Sequence, residues 1–266
     1  MIHKRIFKRI FSAALGLSLV AVFSVNLKAA DNSLQNIKKA GEIVVGLEGT
    51  YPPFSFQNEK GELTGFEVEF AKALAKELGV KAKIAPAKFD GLLASLESRR
   101  VDVVINQITI SEERKKKYNF STPYTYSGIQ VLTKKENAGT VKESNDLVGK
   151  KVGVGLGSNY EDWLRDNIKG VDIRTYDDDP TKYNDLNVGR IDAILIDRIA
   201  AIDLVKKTKN RLSLAGEPFS KQEAGVAIRK SDVELLTAVN RAIATLKANG
   251  ELGKLSIKWF EIDITK

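Results

Sequence analysis

Short runs rich in Val and Ile alternate with amphipathic helical stretches along most of the chain. The strand candidates are 43–47, 83–85, 101–105, 129–133, 151–154, 173–176, 191–196 and 225–228. Between the first two, an apolar stripe recurs every fourth residue, at Phe66, Phe70, Leu74 and Leu78. This spacing predicts a helix, and Glu67 and Glu69 suit the dipole at its N-terminus. Alternating strands and helices predict an α/β protein with mostly parallel sheets.

Two stretches of the sequence are similar to each other. They are residues 98–105 (SRRVDVVI) and 188–195 (VGRIDAIL). Both have an arginine, a β-branched residue and an aspartate in succession, at the point where a predicted helix ends and a strand begins. The match predicts two similar lobes, although a common helix-to-strand turn would produce it as well. Because no linker rich in Pro, Ser and Gly separates the two stretches, we expect ordered strands to connect the lobes.

Residues 1–30 are typical of a secretory signal peptide. A basic start precedes the uncharged run 11–25, whose 15 residues are fewer than the roughly 20 needed to span a bilayer. Cleavage is expected at Ala29 or Ala30, and the alternative is an uncleaved N-terminal anchor. The segment holds five basic residues and no acidic one, so its removal lowers the formal net charge from +8 to +3. This modest charge argues against nucleic-acid binding. The basic run 114–117 does not change that interpretation, because the acidic Glu112 and Glu113 stand beside it.

The sequence contains no cysteine, and its single histidine, His3, lies in the predicted signal peptide. Without cysteine the chain forms no disulfide, no Cys-ligated zinc site and no lipid-modified cysteine anchor. Without histidine the exported chain also lacks the usual general base and a common metal ligand. The composition therefore argues against an enzyme, a metal site and a cofactor, and favours a binding protein.

Two segments are candidates for binding an anion. Residues 153–158 (GVGLGS) follow a strand, and Ser158 stands where a dinucleotide fingerprint needs its third glycine. The segment instead offers backbone N–H groups at a helix N-terminus, which attract carboxylates. Arg114 follows the strand 101–105, and its guanidinium can hold a carboxylate through two hydrogen bonds, with the Thr109 hydroxyl nearby. A surface arginine in a basic helix is the alternative.

A cation receptor and two aromatic side chains complete the predicted site. Asp197 directly follows the strand 191–196 and can pair with an ammonium group, unless it serves only as an N-cap for the next helix. Tyr51 and Phe89 stand at strand-to-helix corners, where their rings can flank a ligand, although core packing is the usual role of an aromatic residue. Together with Arg114, these residues describe a cleft shaped for a zwitterion.

These residues resemble those of the bacterial amino-acid-binding proteins that serve ABC importers. The resemblance extends from about residue 36 to residue 266. It is carried by the runs 45–54 (VGLEGTYPPF), 109–114 (TISEER), 119–124 (NFSTPY) and 191–197 (IDAILID). The runs 46–56, 102–117 and 176–183 (YDDDPTKY) are similar to those of cystine-binding members of the family. Cystine is therefore the ligand that the resemblance favours.

The resemblance also implies a role for each site residue. Arg114 would take the α-carboxylate of the ligand, helped by Thr109 and by backbone groups around Ser158 and Asn159. Asp197 would take the α-ammonium together with the carbonyl of Gln107. Tyr51 and Phe89 would flank the side chain, and Glu48 would meet the distal ammonium of cystine.

The implied architecture is the two-lobed, type II periplasmic binding protein fold. Residues 31–128 and 224–266 would form lobe 1, residues 129–223 an inserted lobe 2, and two strands the hinge between them. The protein would be a periplasmic monomer that delivers its ligand to the membrane permease of an ABC importer. Three alternatives stay open: a receptor for arginine, glutamine or diaminopimelate; a secreted dehydratase or lyase using Glu48 as acid or base; and a module serving a chemoreceptor.

Overall fold

The computed structural model describes residues 31–266, and the predicted signal peptide lies outside this range. The helices are α1 (Ser33–Ala40), α2 (Phe66–Glu77), α3 (Phe89–Glu97), α4 (Glu112–Lys117), α5 (Asn159–Asn167), α6 (Asp179–Val188), α7 (Arg198–Lys207), α8 (Val233–Ala248) and α9 (Glu251–Phe260). The strands are β1 (Glu42–Leu47), β2 (Thr50–Tyr51), β3 (Ser55–Gln57), β4 (Leu63–Thr64), β5 (Lys81–Pro86), β6 (Val103–Val104), β7 (Tyr118–Phe120), β8 (Thr125–Lys134), β9 (Lys151–Gly155), β10 (Asp172–Tyr176), β11 (Ala193–Asp197), β12 (Leu212–Ala224) and β13 (Ala227–Arg229).

Two five-stranded sheets organise these elements. The first has the strand order β5-β1-β6-β13-β7, and the second has the order β10-β9-β11-β8-β12. In the first sheet only β13 runs against the other four strands, and in the second only β8 does so. Strands β2, β3 and β4 form a small antiparallel sheet. The predicted α/β fold with mostly parallel sheets flanked by helices is confirmed.

Helix α2 begins where the sequence pattern predicts, and its apolar stripe is buried. The ring of Phe70 stacks on Tyr124 with centroids 4.7 Å apart, and Phe66 packs beside them. The turn before the helix needs Gly65, whose φ is +126°, because a Cβ there would lie 2.2 Å from the carbonyl oxygen of Phe54. This turn places Glu67, in the first turn of α2, inside the protein.

Helix α6 holds one wall of the site described below, and its ends follow from its sequence. The carboxylate of Asp178 accepts a hydrogen bond from the backbone N–H of Thr181 at 2.8 Å, and Pro180 stands in the first turn. Gly189 ends the helix in the left-handed conformation, with φ at +78°. Asp179 and Lys182 are thereby fixed on the first turns of a well-capped helix.

Each of the eight predicted strand segments overlaps a strand, although only 103–104 of the segment 101–105, 193–196 of the segment 191–196 and 227–228 of the segment 225–228 are in strands. The sequence pattern missed several other elements. The longest of these, β12, contains Gly216 and Pro218 and reads as a loop, yet it pairs with β8 along most of its length. Beyond the end of β11, residues 125–128 still pair with residues 221–224. The division into 31–128 with 224–266 and 129–223 stays a prediction. Among residues 31–266, no helix has the length and apolar character needed to cross a bilayer.

Candidate functional site

A cavity lies at the ends of strands from both large sheets. Its lining residues lie at or after the carboxyl ends of β1, β5, β6, β9, β10 and β11, including the first turns of α3, α5 and α6, and Tyr51 is added from β2. They are Glu48, Tyr51, Phe89, Asn106, Gln107, Gly155, Ser158, Asn159, Tyr160, Tyr176, Asp177, Asp178, Asp179, Lys182 and Ile196. This position is typical of small-molecule sites in α/β proteins.

Six of the nine predicted site residues line this cavity: Glu48, Tyr51, Phe89, Gln107, Ser158 and Asn159. The other three, Thr109, Arg114 and Asp197, do not contribute to its lining. Each of the three is nevertheless connected to a residue or segment at the cavity wall, through the contacts described next. Their ligand-binding roles stay predictions.

Arg114 reaches from the first sheet to the loop that follows β9. Its Nη1 donates to the carbonyl oxygen of Thr109 at 3.2 Å, and its Nη2 donates to the carbonyl oxygen of Gly157 at 3.4 Å. The hydroxyl of Ser111 caps α4 by accepting from the backbone N–H of Arg114. Burial lowers the pKa of Arg114, but an arginine in a protein stays protonated. A fixed positive charge therefore stands beside Ser158 at the start of α5.

The side chains of Thr109 and Asn159 meet at Gln222 of β12. The Oε1 atom of Gln222 accepts from the Thr109 hydroxyl at 3.0 Å and from the Asn159 side-chain amide at 2.7 Å. The Ser158 hydroxyl caps α5 by accepting from the backbone N–H of Glu161 at 3.3 Å. Sequence reasoning missed Gln222, because nothing in the polar strand β12 distinguishes it from its neighbours.

Asp197 ends β11 and is only 2% exposed. Its Oδ1 accepts from the backbone N–H of Ile199 at 2.7 Å, so the residue does cap α7. Burial raises the pKa of Asp197 to about 6. Burial, and then the charge of Asp197, raises the pKa of Tyr160. Ile196, the residue before Asp197, lines the cavity.

Gln107 has an unusual backbone conformation that a buried carboxylate supports. Its φ is +46°, a region that non-glycine residues rarely occupy. The backbone N–H of Gln107 donates to Oε1 of Glu67 at 2.6 Å and to the hydroxyl of Tyr124 at 3.1 Å. Glu67 is fully buried, and burial raises its pKa to about 7. Such a conformation persists only where the surroundings hold it, and Glu67 provides that support.

Glu48 stands directly after β1 and is partly buried. One carboxylate oxygen accepts from the Asn106 side-chain amide at 2.9 Å, and the other accepts from the Thr50 hydroxyl at 2.9 Å. Burial, and then the negative charge of Asp179, raises the pKa of Glu48 to about 6. Glu48 and Asp179 both line the cavity, and Asp179 belongs to α6, which packs against the second sheet.

The first turns of α6 place a buried ion pair in the cavity wall. The Nζ of Lys182 pairs with Oδ1 of Asp179, and their side chains are 3% and 10% exposed. The hydroxyl of Tyr183 donates to the other oxygen of Asp179 at 2.9 Å. At the mouth, Lys88 forms an exposed ion pair with Asp177 at 2.7 Å. The run 176–183 carries the resemblance to cystine-binding proteins, but the sequence pattern did not identify its members as site residues.

Tyr51 and Phe89 form the aromatic part of the wall. Tyr51 is 7% exposed and packs against Phe54 with ring centroids 5.2 Å apart, so it also belongs to the core. Its buried hydroxyl has no hydrogen-bond partner among residues 31–266. Phe89 is the first residue of α3. Over the described range, no group of three His, Cys, Asp or Glu side chains is arranged to hold a metal ion.

Comparisons with known proteins agree with this geometry. Residues 43–262 match the family described as bacterial extracellular solute-binding proteins, family 3. The L-cystine-binding protein TcyJ of Escherichia coli is 64% identical over 252 residues, which are 95% of each chain. A crystal structure of a mutant ArgBP from T. maritima is 36% identical with a TM-score of 0.82, covering 86% of this chain and 99% of that one. The ancestral amino acid-binding protein AncCDT-1, a precursor of cyclohexadienyl dehydratase, is 38% identical with a TM-score of 0.81, covering 86% and 99%. The chain belongs to the bacterial extracellular solute-binding proteins of family 3.

Proposed function

We propose that this protein is a periplasmic receptor that binds L-cystine in the cavity and delivers it unchanged to the membrane permease of an ABC importer. The observation that supports the proposal is the cavity, whose lining includes Ser158, next to the Gly157 carbonyl that Arg114 contacts, and Ile196, next to the buried Asp197. The 64% identity to an L-cystine-binding protein supports cystine as the ligand.

In this proposal the first amino-acid head group of cystine lies between Arg114 and Asp197. The α-carboxylate receives charge-assisted hydrogen bonds from Arg114 and from backbone N–H groups at the start of α5, near Ser158 and Asn159. The α-ammonium donates to Asp197 and to the carbonyl of Gln107. Glu67 holds Gln107 in the conformation that this contact needs. The Tyr51 hydroxyl, which has no hydrogen-bond partner among residues 31–266, gains one from the ligand.

Binding is proposed to close a hinge between lobe 1 (31–128 and 224–266) and lobe 2 (129–223). Contacts between segments of the two lobes include those of Arg114 with Gly157 and of Lys88 with Asp177. A ligand that contacts both lobes favours their closed arrangement, because only that arrangement provides all of its contacts. The receptor acts as a monomer, exported by the signal peptide 1–30.

A second candidate is a secreted dehydratase or lyase built on the same scaffold. The raised pKa of Glu48 favours it, because a carboxyl group with a pKa of about 6 suits an acid or base near neutral pH. AncCDT-1, described as a precursor of a dehydratase, shows the same fold. Incubating the protein with cystine and then recovering the ligand separates the candidates: unaltered ligand in stoichiometric amount supports a receptor, and product formation supports an enzyme.

Calorimetric titration with cystine and the twenty common amino acids tests the receptor directly. We expect binding of cystine at micromolar concentration or below, and loss of more than a hundredfold in affinity in Arg114→Ala and in Asp197→Ala. The size follows from roughly 3–5 kcal/mol for leaving one member of a buried charged pair without its partner. Unchanged affinity in both variants would refute the proposed site.

A further inference from the structure

We propose that Glu48, Asp179 and Lys182 form a distal receptor, a second subsite of the cavity that takes a complete amino-acid head group at the far end of the ligand. The inference rests on the proposed function, because the first head group is taken to lie between Arg114 and Asp197. It assigns a ligand class: molecules that carry an ammonium and a carboxylate at both ends.

Lys182 is the group that defines this class. It is the one cationic side chain among the described residues that line the cavity. Its side chain is 3% exposed, it pairs with Asp179, and its Nζ lies 5.5 Å from the centre of the Tyr183 ring. An ammonium group that is removed from water retains its charge only where acceptors surround it. A ligand carboxylate at this position adds a further acceptor for the Lys182 ammonium.

Glu48 supplies the opposite charge from the other sheet. Its two oxygens each accept one hydrogen bond, from Asn106 and from Thr50, and a carboxylate has about four acceptor positions. Glu48, Asp179 and Lys182 all line the same cavity. Glu48 and Asp179 therefore offer acceptors for a ligand ammonium beside the donor that Lys182 offers to a ligand carboxylate.

The mixed charge of the distal receptor discriminates between ligand ends. A ligand with only a cation at its far end, such as arginine, brings a positive charge beside the buried Lys182. A neutral amide end, as in glutamine, carries no charge that could pair with the Lys182 ammonium or with the carboxylates of Glu48 and Asp179. A zwitterionic end pairs with both kinds of group at once and leaves neither of them without a partner. Cystine has this chemistry, as do lanthionine, cystathionine and diaminopimelate.

The test compares three ligands by calorimetry on the full exported chain. Cystine has both head groups, cystine monoamide lacks only the distal carboxylate, and S-methylcysteine lacks the whole distal head group. For the unmodified protein we expect cystine to bind at least about tenfold more tightly than its monoamide. The reason is that the monoamide cannot form the charge-assisted hydrogen bond between the distal carboxylate and Lys182. In Lys182→Met we expect that preference to fall to about threefold or less, while the affinity for S-methylcysteine changes by less than about threefold.

Two further variants keep the test independent of folding. The single variant Lys182→Met leaves the buried charge of Asp179 without its partner, which can destabilise the fold. The double variant Asp179→Asn with Lys182→Met avoids this, because it removes both buried charges together. Lys206→Met is the matched control, because Lys206 is exposed and pairs with Glu261 outside the cavity. Thermal unfolding of all variants identifies any that fail to fold. The ligand comparison on the unmodified protein requires no substitution at all.

The outcomes separate this inference from the proposed function. If the unmodified protein binds none of the three ligands, the proposed function fails, and the distal receptor fails with it. If cystine and its monoamide bind equally well, the distal receptor is overturned and the amino-acid receptor stands. The same holds if Lys182→Met weakens cystine and S-methylcysteine by the same factor.

Discussion

The guanidinium of Arg114 donates a hydrogen bond to the carbonyl oxygen of Gly157, 3.4 Å away, although the two residues are 43 positions apart. Arg114 follows the first sheet's strand β6, and Gly157 follows β9 of the second sheet. The contact brings a fixed positive charge to the N-terminus of α5, where the helix dipole also favours an anion. Both effects act on the same small region at the edge of the cavity.

Arg114→Ala is therefore expected to weaken cystine binding by more than a hundredfold without unfolding the protein. The physical reason is the loss of two charge-assisted hydrogen bonds to the ligand carboxylate, worth roughly 3 kcal/mol or more. Isothermal titration measures the affinity. Lys115→Ala is the matched control, because Lys115 is exposed on the same helix and pairs with Glu112. Equal affinities of the two variants would contradict the role of Arg114.

Tyr51→Phe is expected to change stability and affinity in opposite directions. The Tyr51 hydroxyl is buried, and no group in the described part of the chain forms a hydrogen bond with it. An unsatisfied buried polar group costs about 1–3 kcal/mol. Its removal should raise the free energy of unfolding of the ligand-free protein. Cystine affinity should fall by about tenfold, because the ligand loses a hydrogen bond. Denaturant unfolding and calorimetry measure the two effects.

Tyr118→Phe provides the contrast for this prediction. Tyr118 is also buried, but its hydroxyl donates to Glu97, away from the cavity. Removing that hydroxyl should lower the free energy of unfolding and leave cystine affinity unchanged. If Tyr51→Phe behaves like Tyr118→Phe, the Tyr51 hydroxyl has no contact with the ligand.

The sequence predicted much of the fold because the strands and main helices carry strong local patterns. The stripe at Phe66 and Phe70 follows from helical periodicity alone, and it is buried as expected. Strand β12 could not be predicted in this way. Its Gly216 and Pro218 favour a loop, and it forms a strand because β8 provides a long partner. Tertiary pairing overrides local propensity in such a strand.

The same distinction holds for the site. Arg114 and Asp197 were predicted because each lies beyond the carboxyl end of a predicted strand, where α/β proteins bind ligands, and their roles stay predictions. Glu67 was interpreted only as an acid at a helix N-terminus, yet it is fully buried and accepts a hydrogen bond from Gln107. The burial of Lys182 beside Asp179 likewise depends on how α6 packs against the second sheet and strand β2. These roles arise from contacts between distant segments, which no local pattern records.

Cystine affinity is expected to fall as the pH is lowered through about 6. Burial raises the pKa of Asp197 to about 6, so the ligand-free protein takes up a proton there as the pH falls. An ammonium group binds the ionised carboxylate, and protonation therefore competes with the ligand, by up to about tenfold per pH unit for one proton. Titrations between pH 4.5 and 8 measure this slope.

Asp197→Asn is the variant that assigns the slope to Asp197. Asparagine caps a helix as well as aspartate does, so α7 should remain intact. The variant should bind weakly with a smaller dependence on pH. The remaining dependence belongs to Glu48, whose pKa is also about 6, and Glu48→Gln should remove that part. A slope that survives in both single variants unchanged would contradict the assignment.

Glu67→Gln is expected to flatten the dependence of stability on pH. Burial raises the pKa of Glu67 from its ordinary 4.5 to about 7, so the folded state binds this proton more tightly than the unfolded state. The stabilisation is fully present below pH 4.5 and is lost as the pH rises to about 7, by about 3 kcal/mol in total. Glutamine is neutral at every pH and keeps an oxygen that can accept from Gln107 and Tyr124.

Urea unfolding of both proteins at pH 5, 6, 7 and 8 measures the difference. Glu48 and Asp197 contribute a slope of the same sign, but they are present in both proteins and cancel. Parallel curves would show that Glu67 does not titrate in this range.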